Sequence, residues 1–139
     1  YWQNLLAYEE AYKKGYGDAI ILNERGEICE TSRYNIFWIK ENTIYTPHLD
    51  CNLLNGIMRQ KVISLASFLD INLKEVKAGE EELKKAEVVF VANSVRGIIP
   101  VEEAFLQKYK VEHELITGLV NQLKGEINQY IIKNTPEKD

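Results

Sequence analysis

The 139-residue sequence contains only two cysteines, two histidines, three prolines and one methionine. So few cysteines exclude a disulfide scaffold, and a chain of this length buries roughly 70% of its unfolded surface without staples. Cys29 and Cys51 therefore need not pair. Positive charge is not in excess, since 17 Lys and Arg face 21 Asp and Glu for a net charge of -4. Such a balance supplies no field for a phosphate backbone, so nucleic acid is not expected as a partner. Long apolar runs are missing too: nothing approaches the roughly 18 residues of a membrane span, and no basic-then-apolar leader opens the chain. The expectation is a cytoplasmic protein without membrane contact. A first residue of Tyr1 rather than Met reads as a piece of something longer.

What is present, 45% apolar and 27% charged residues, is the composition of a globular domain. Trp2, Leu5, Tyr8 and Tyr12 recur at helical spacing before Gly15 and Gly17. A β-branched run follows over 18–23, then a turn at Glu24–Glu27, an extended segment from Ile28 to Lys40, a turn at Glu41-Asn42 and a further run over 43–46. This pattern predicts a three-stranded meander. Residues 47–56 read as a loop with Asn55 as N-cap of a helix carrying Met58, Val62, Leu65 and Leu69. Beyond it the pattern predicts a strand over 71–76, a charged helix over 79–86 and a buried strand over 88–92. Extended structure resumes over 98–101 after an interruption at Asn93–Gly97, and Leu115, Leu119, Leu123, Ile127 and Ile131 mark a long last helix. Strands and helices mix as α/β or α+β, in one domain over 1–134 with a polar tail over 135–139.

Three places could carry chemistry. Glu30 lies among Ile28, Cys29, Ile36, Phe37 and Trp38, where an ionised carboxylate needs a cation or donors unless the strand breaks at Thr31-Ser32 and leaves it solvated. Gly56 opens a helix, and with Ile57 and Met58 it either forms an ordinary capped start or offers free N–H groups to a phosphate. Asn93-Ser94 ends a buried strand, where open sheets place ligands, or makes a tight turn. Other patterns fail: His113-Glu114 lacks the second histidine of a zinc-protease motif, and Gly15-Tyr16-Gly17 has Ile20 where a dinucleotide loop needs glycine. His48, Asp50 and Cys51 lack matched partners, so no metal site is expected.

Taken in order and spacing, Cys29–Trp38, Ile44–Pro47, Leu54–Gln60 and Asn93–Val101 resemble class IV aminotransferases, the fold type IV pyridoxal 5'-phosphate enzymes. The resemblance covers about residues 1–101. It implies the large C-terminal domain of the D-amino acid aminotransferase-like fold, a small-molecule substrate and a homodimeric full-length enzyme. Glu30 would face the pyridine nitrogen of the cofactor, Gly56, Ile57 and Met58 would present the helix start to its phosphate, Ser94 would add a hydroxyl, and Tyr1 would lie against its phenolic oxygen. Asn93 and Arg96 fall in the block that faces substrate. Within the family the segments Asn55–Gln60, Phe37-Trp38 and Tyr45–Asp50 are most similar to 4-amino-4-deoxychorismate lyases, which release 4-aminobenzoate and pyruvate for folate synthesis. Branched-chain and D-amino acid aminotransferases, the alternative, usually carry threonine where Met58 stands. Members also bond the cofactor through a lysine a few residues before the position of Tyr1, so the isolated chain is expected to be inactive. A reading of another class makes it a non-catalytic cofactor-binding or dimerising module.

Overall fold

Residues 2–134 are described by a computed structural model, with side chains as far as Ile127; Tyr1 and the tail over 135–139 lie outside the described residues. The chain opens with helix α1 (Trp2–Lys13) and continues through strands β1 (Ile20–Leu22), β2 (Ile28–Thr31), β3 (Asn35–Lys40) and β4 (Thr43–Pro47). A 3-10 turn at Leu49–Cys51 leads to α2 (Ile57–Phe68), β5 (Leu73–Val76), α3 (Glu80–Lys85), β6 (Val88–Asn93) and β7 (Gly97–Pro100). A small hairpin of β8 (Glu103–Ala104) and β9 (Gln107–Lys108) precedes the final helix α4 (Glu114–Asn134). The expected α/β mixture is what forms, and among the described residues no helix is long and apolar enough to cross a membrane.

The central sheet has the order β5-β4-β3-β6-β7, antiparallel except for the β4–β5 pair that α2 connects. β3 lies in the middle and pairs with β6 in the register Asn35↔Ala92 through Ile39↔Val88. Because side chains alternate across a strand, Phe37, Ile39, Val88 and Phe90 pack beneath α2 and α4, while Ile36, Trp38, Val89 and Val91 pack against β2, α3 and Tyr109. A sheet covered on both faces reads as a continuous apolar run, which is what Ile36–Ile39 and Val88–Ala92 show. Phe37 and Phe90 stack directly opposite each other, with centroids 4.9 Å apart. At Gly118 on α4 a Cβ would stand 4.0 Å from Leu69, the residue that closes α2, an ordinary van der Waals contact that leaves room for a small side chain.

Three expectations change. The extended segment 28–40 is two strands in two sheets, broken at Ser32–Tyr34 because Asp18 draws the chain aside. Its carboxylate accepts from the Thr31 and Ser32 hydroxyls and from the backbone N–H groups of Ala19 and Ser32. The three-strand meander is thus a β1–β2 ribbon followed by the β3–β4 hairpin, whose Glu41 and Asn42 take φ of 49° and 60°. Second, α1 is present but buries only Ala11, leaving Trp2, Leu5 and Tyr12 exposed. Third, the N-cap of α2 is Gly56, with no side-chain cap; Asn55 instead turns its Oδ1 to Arg59.

Candidate functional site

Glu30 is neither buried alone nor free in solvent. It lies in β2 half-buried, with Oε1 accepting from the Leu54 N–H at 3.0 Å and Oε2 from Asn4 Nδ2 at 2.8 Å. Both donors are neutral, so no cation of the described residues is bonded to the carboxylate. Asn35, first residue of β3 and buried, holds the same loop residue from its other side by donating Nδ2 to the Leu54 carbonyl at 2.8 Å. One amino acid, two positions before Gly56, is thereby fixed at both its backbone N–H and its C=O.

From there the chain enters α2 without a capping side chain, and the first N–H groups of a helix have no intrahelical acceptor. Those of Ile57 and Met58 stand at the partial positive end of the helix dipole. They border a cavity of about 240 Å³ that Asn4, Glu30, Gly56, Met58 and Ser94 also line. Free N–H groups at the helix start, a hydroxyl and a carboxylate suit a small molecule carrying a dianion and a protonatable ring nitrogen. The donor set therefore fits a pyridine-ring phosphate ester.

Asn93 spends its polar atoms on the turn: Oδ1 accepts from the N–H groups of Val95 and Arg96, at 3.1 and 2.7 Å, and Nδ2 donates to the Arg33 carbonyl at 3.1 Å. Of the two readings of Asn93-Ser94, the side chain of Asn93 realises the tight turn. Its neighbour Ser94, exposed, lines the cavity that Glu30 also borders. Arg96 does not join that group. It lines a larger cavity, about 750 Å³, between α1 and β7, walled by Ala11, Ile36, Val91 and Ile99. The structure thus brings together Glu30, Gly56, Ile57, Met58, Asn93 and Ser94 and places Arg96 elsewhere. Tyr1 lies outside the described residues.

Gly56 has φ of −66° and needs no special backbone freedom. What makes it a glycine is space, since a Cβ there would stand 2.8 Å from Asn35 Oδ1. The first thing a side chain would meet is this amide rather than an incoming anion. Asn4, Asn35 and Arg59 escaped the sequence reading. Asn4 and Arg59 look like solvated helix residues, although a polar side chain at the head of the apolar run Ile36–Ile39 was a signal that Asn35 has a task. Cys29, in β2, donates its thiol to the Cys51 carbonyl at 2.9 Å, another tie to the loop before α2, and burial pushes its pKa up to about 11. Both cysteines are free.

The family model for amino-transferase class IV matches residues 1–104. A probable branched-chain-amino-acid aminotransferase of Thermotoga maritima is 39% identical over 84 residues, 60% of this chain and 31% of the relative. An aminodeoxychorismate lyase of Vibrio harveyi is 28% identical over 126 residues, 91% of this chain and 46% of the relative. The chain thus spans less than half the length of either relative. Among solved structures, a candidate 4-amino-4-deoxychorismate lyase of Legionella pneumophila superposes with a TM-score of 0.86 at 28% identity, over 89% of this chain and 46% of that one. The branched-chain aminotransferase of the thermophilic archaeon Thermoproteus uzoniensis, with norvaline, superposes with a TM-score of 0.84 at 30% identity, over 92% and 44%. A match across three quarters of the residues, on a sheet and helices that superpose with these enzymes, identifies the chain as a member of the class IV aminotransferase family.

Proposed function

We propose that these residues form the cofactor-binding domain, over 1–134, of a pyridoxal 5'-phosphate enzyme that cleaves 4-amino-4-deoxychorismate to 4-aminobenzoate and pyruvate. The observation that carries the cofactor is the uncapped start of α2 sharing one small cavity with Glu30 and Ser94. The N–H groups of Ile57 and Met58 and the Ser94 hydroxyl hold the phosphate, and the Glu30 carboxylate holds the proton on the pyridine nitrogen. When bound, the cofactor supplies an electron sink for a carbanion next to the substrate amine. Glu30 keeps the ring cationic, while its bonds to Leu54 and Asn4 keep the carboxylate aimed. The hydrogen bonds of Asn93 hold the turn that carries Ser94. Arg96, in the neighbouring cavity that shares Arg33 and Tyr34 with this one, meets a substrate carboxylate.

Met58, on the cavity wall where the aminotransferases usually have threonine, supports the lyase over its relatives. The 39% identity to a branched-chain aminotransferase supports the second reading, transamination of branched-chain or D-amino acids. The accompanying reading is a cytoplasmic homodimer in which the lysine that bonds the cofactor lies before Tyr1. Incubating the full-length protein with 4-amino-4-deoxychorismate and measuring 4-aminobenzoate and pyruvate, beside keto-acid formation from branched-chain amino acids, tests it. Keto acid without 4-aminobenzoate would establish the aminotransferase instead.

A further inference from the structure

Arg59 is 2% exposed, and an ionised group so far from water needs polar partners. Its guanidinium spans three parts of the fold. Nη1 donates to Asn55 Oδ1 at 2.9 Å, and Nη2 donates to the Pro47 carbonyl at 3.1 Å and to Glu75 Oε1 at 2.5 Å. Nε has no acceptor among the described residues, so the two Nη groups carry the whole connection. Pro47 is where the chain leaves the sheet, Asn55 is the residue before Gly56, and Glu75 lies on β5, the strand paired in parallel with β4. One planar fork therefore fixes both ends of loop 48–55 against the sheet edge. Arg59 itself does not line the cavity beside Glu30. A buried cation serving stability alone has no need to reach the residue that precedes an uncapped helix start, and an apolar side chain would fill the volume with less desolvation.

We infer that Arg59 is the positioning residue of the phosphate-binding turn, holding Asn55 and hence the N–H groups of Ile57 and Met58 in line with the anion. This rests on the reading that the start of α2 binds the cofactor phosphate. Lysine has one point charge and cannot serve the three acceptors with a rigid fork. A turn that loosens weakens the contacts to phosphate and leaves those to the ring untouched.

The test titrates the full-length protein, Arg59→Lys and Asn55→Ala with pyridoxal phosphate and with pyridoxal, which lacks the phosphate, following cofactor absorbance. Circular dichroism is measured alongside. The wild type should prefer the phosphorylated form. In Arg59→Lys the affinity for pyridoxal phosphate should fall about tenfold, the loss of roughly one charge-assisted hydrogen bond, while that for pyridoxal stays unchanged. Asn55→Ala, which removes one acceptor and keeps Arg59 paired with Glu75 and Pro47, should move the ratio in the same direction. Equal losses for both ligands would show Arg59 to be structural only, and an unchanged ratio in both variants would overturn the inference. If Arg59→Lys fails to fold, the ratio in Asn55→Ala decides. A wild type that does not distinguish the two ligands would instead refute the phosphate reading itself.

Discussion

Replacing Gly56 by alanine places a methyl group 2.8 Å from Asn35 Oδ1, closer than real Cβ atoms come. The backbone, at φ −66° and ψ 157°, accepts any residue, so the whole cost arises from that contact. Asn35 is buried and its amide is committed to the Leu54 carbonyl, so it cannot step aside without giving up a 2.8 Å hydrogen bond. The Leu54 carbonyl would keep the Gly56 N–H at 3.0 Å, but leaving the buried amide unpaired costs about 1–3 kcal/mol, against about 0.4–1 kcal/mol gained from the stiffer unfolded chain. Gly56→Ala should therefore destabilise by about 1–2 kcal/mol. Asn35→Ala forfeits the same bond, but it also removes the oxygen that the methyl strikes. In the double variant the second change should be free, or stabilising by up to about 1 kcal/mol. The cycle should show a coupling of about 1–3 kcal/mol in the compensating direction. Urea unfolding of the four proteins, with the slope unchanged, measures it. Costs that add within about 0.5 kcal/mol would refute the claim that Gly56 is kept small by Asn35.

In the full-length enzyme, Glu30→Gln should abolish most turnover while cofactor remains bound, because an amide cannot hold the ring proton; wild-type rates at saturating cofactor would remove Glu30 from the mechanism. Gly56→Val should weaken pyridoxal phosphate binding more than Ser94→Ala, since it displaces the loop through Asn35 whereas Ser94 supplies one donor; fluorescence titration ranks the two. The 139-residue chain alone should show neither lyase nor transaminase activity, and borohydride should trap no cofactor on Lys13 or Lys14; a stoichiometric, activity-linked adduct there contradicts the placement of the bonding lysine before Tyr1. At alkaline pH the buried Cys29 thiol, raised from 9.0 to about 11, binds its proton more tightly folded than unfolded. Stability should thus decline as pH rises from 9.0 to about 11, and Cys29→Ala should flatten that part of the profile in thermal melts.

Long elements with one clear period were legible from residue types: α2 and α4 from their apolar spacing, β6 from an unbroken apolar run. What escaped was decided by partners distant in sequence. A break near Thr31-Ser32 is one of two readings the residues leave open, but what decides it is Asp18, which reads locally as the polar start of a strand. The β8–β9 hairpin turns on Phe105 and Leu106 at φ of 54° and 58°, residues that carry no turn signal. At the site, motif order pointed to Glu30, Gly56 and Ser94. The supports, Asn4, Asn35 and Arg59, are ordinary polar residues whose task is visible only once Leu54, Pro47 and Glu75 stand beside them.

The pairing of β3 with β6 sets the spacing between the two halves of the cavity. Asn35, which anchors the helix start through Leu54, stands opposite Ala92, and Ser94 follows two residues later. A slip of one residue would carry every side chain of β6 to the other face of the sheet and draw the hydroxyl along by about 3.4 Å. The stacked Phe37 and Phe90, directly opposite in that ladder, act as an index pin for the alignment. A ligand that spans both halves acts as a gauge of the alignment: it rewards the correct register among near-miss pairings, and its binding energy is added to that of the strands it measures.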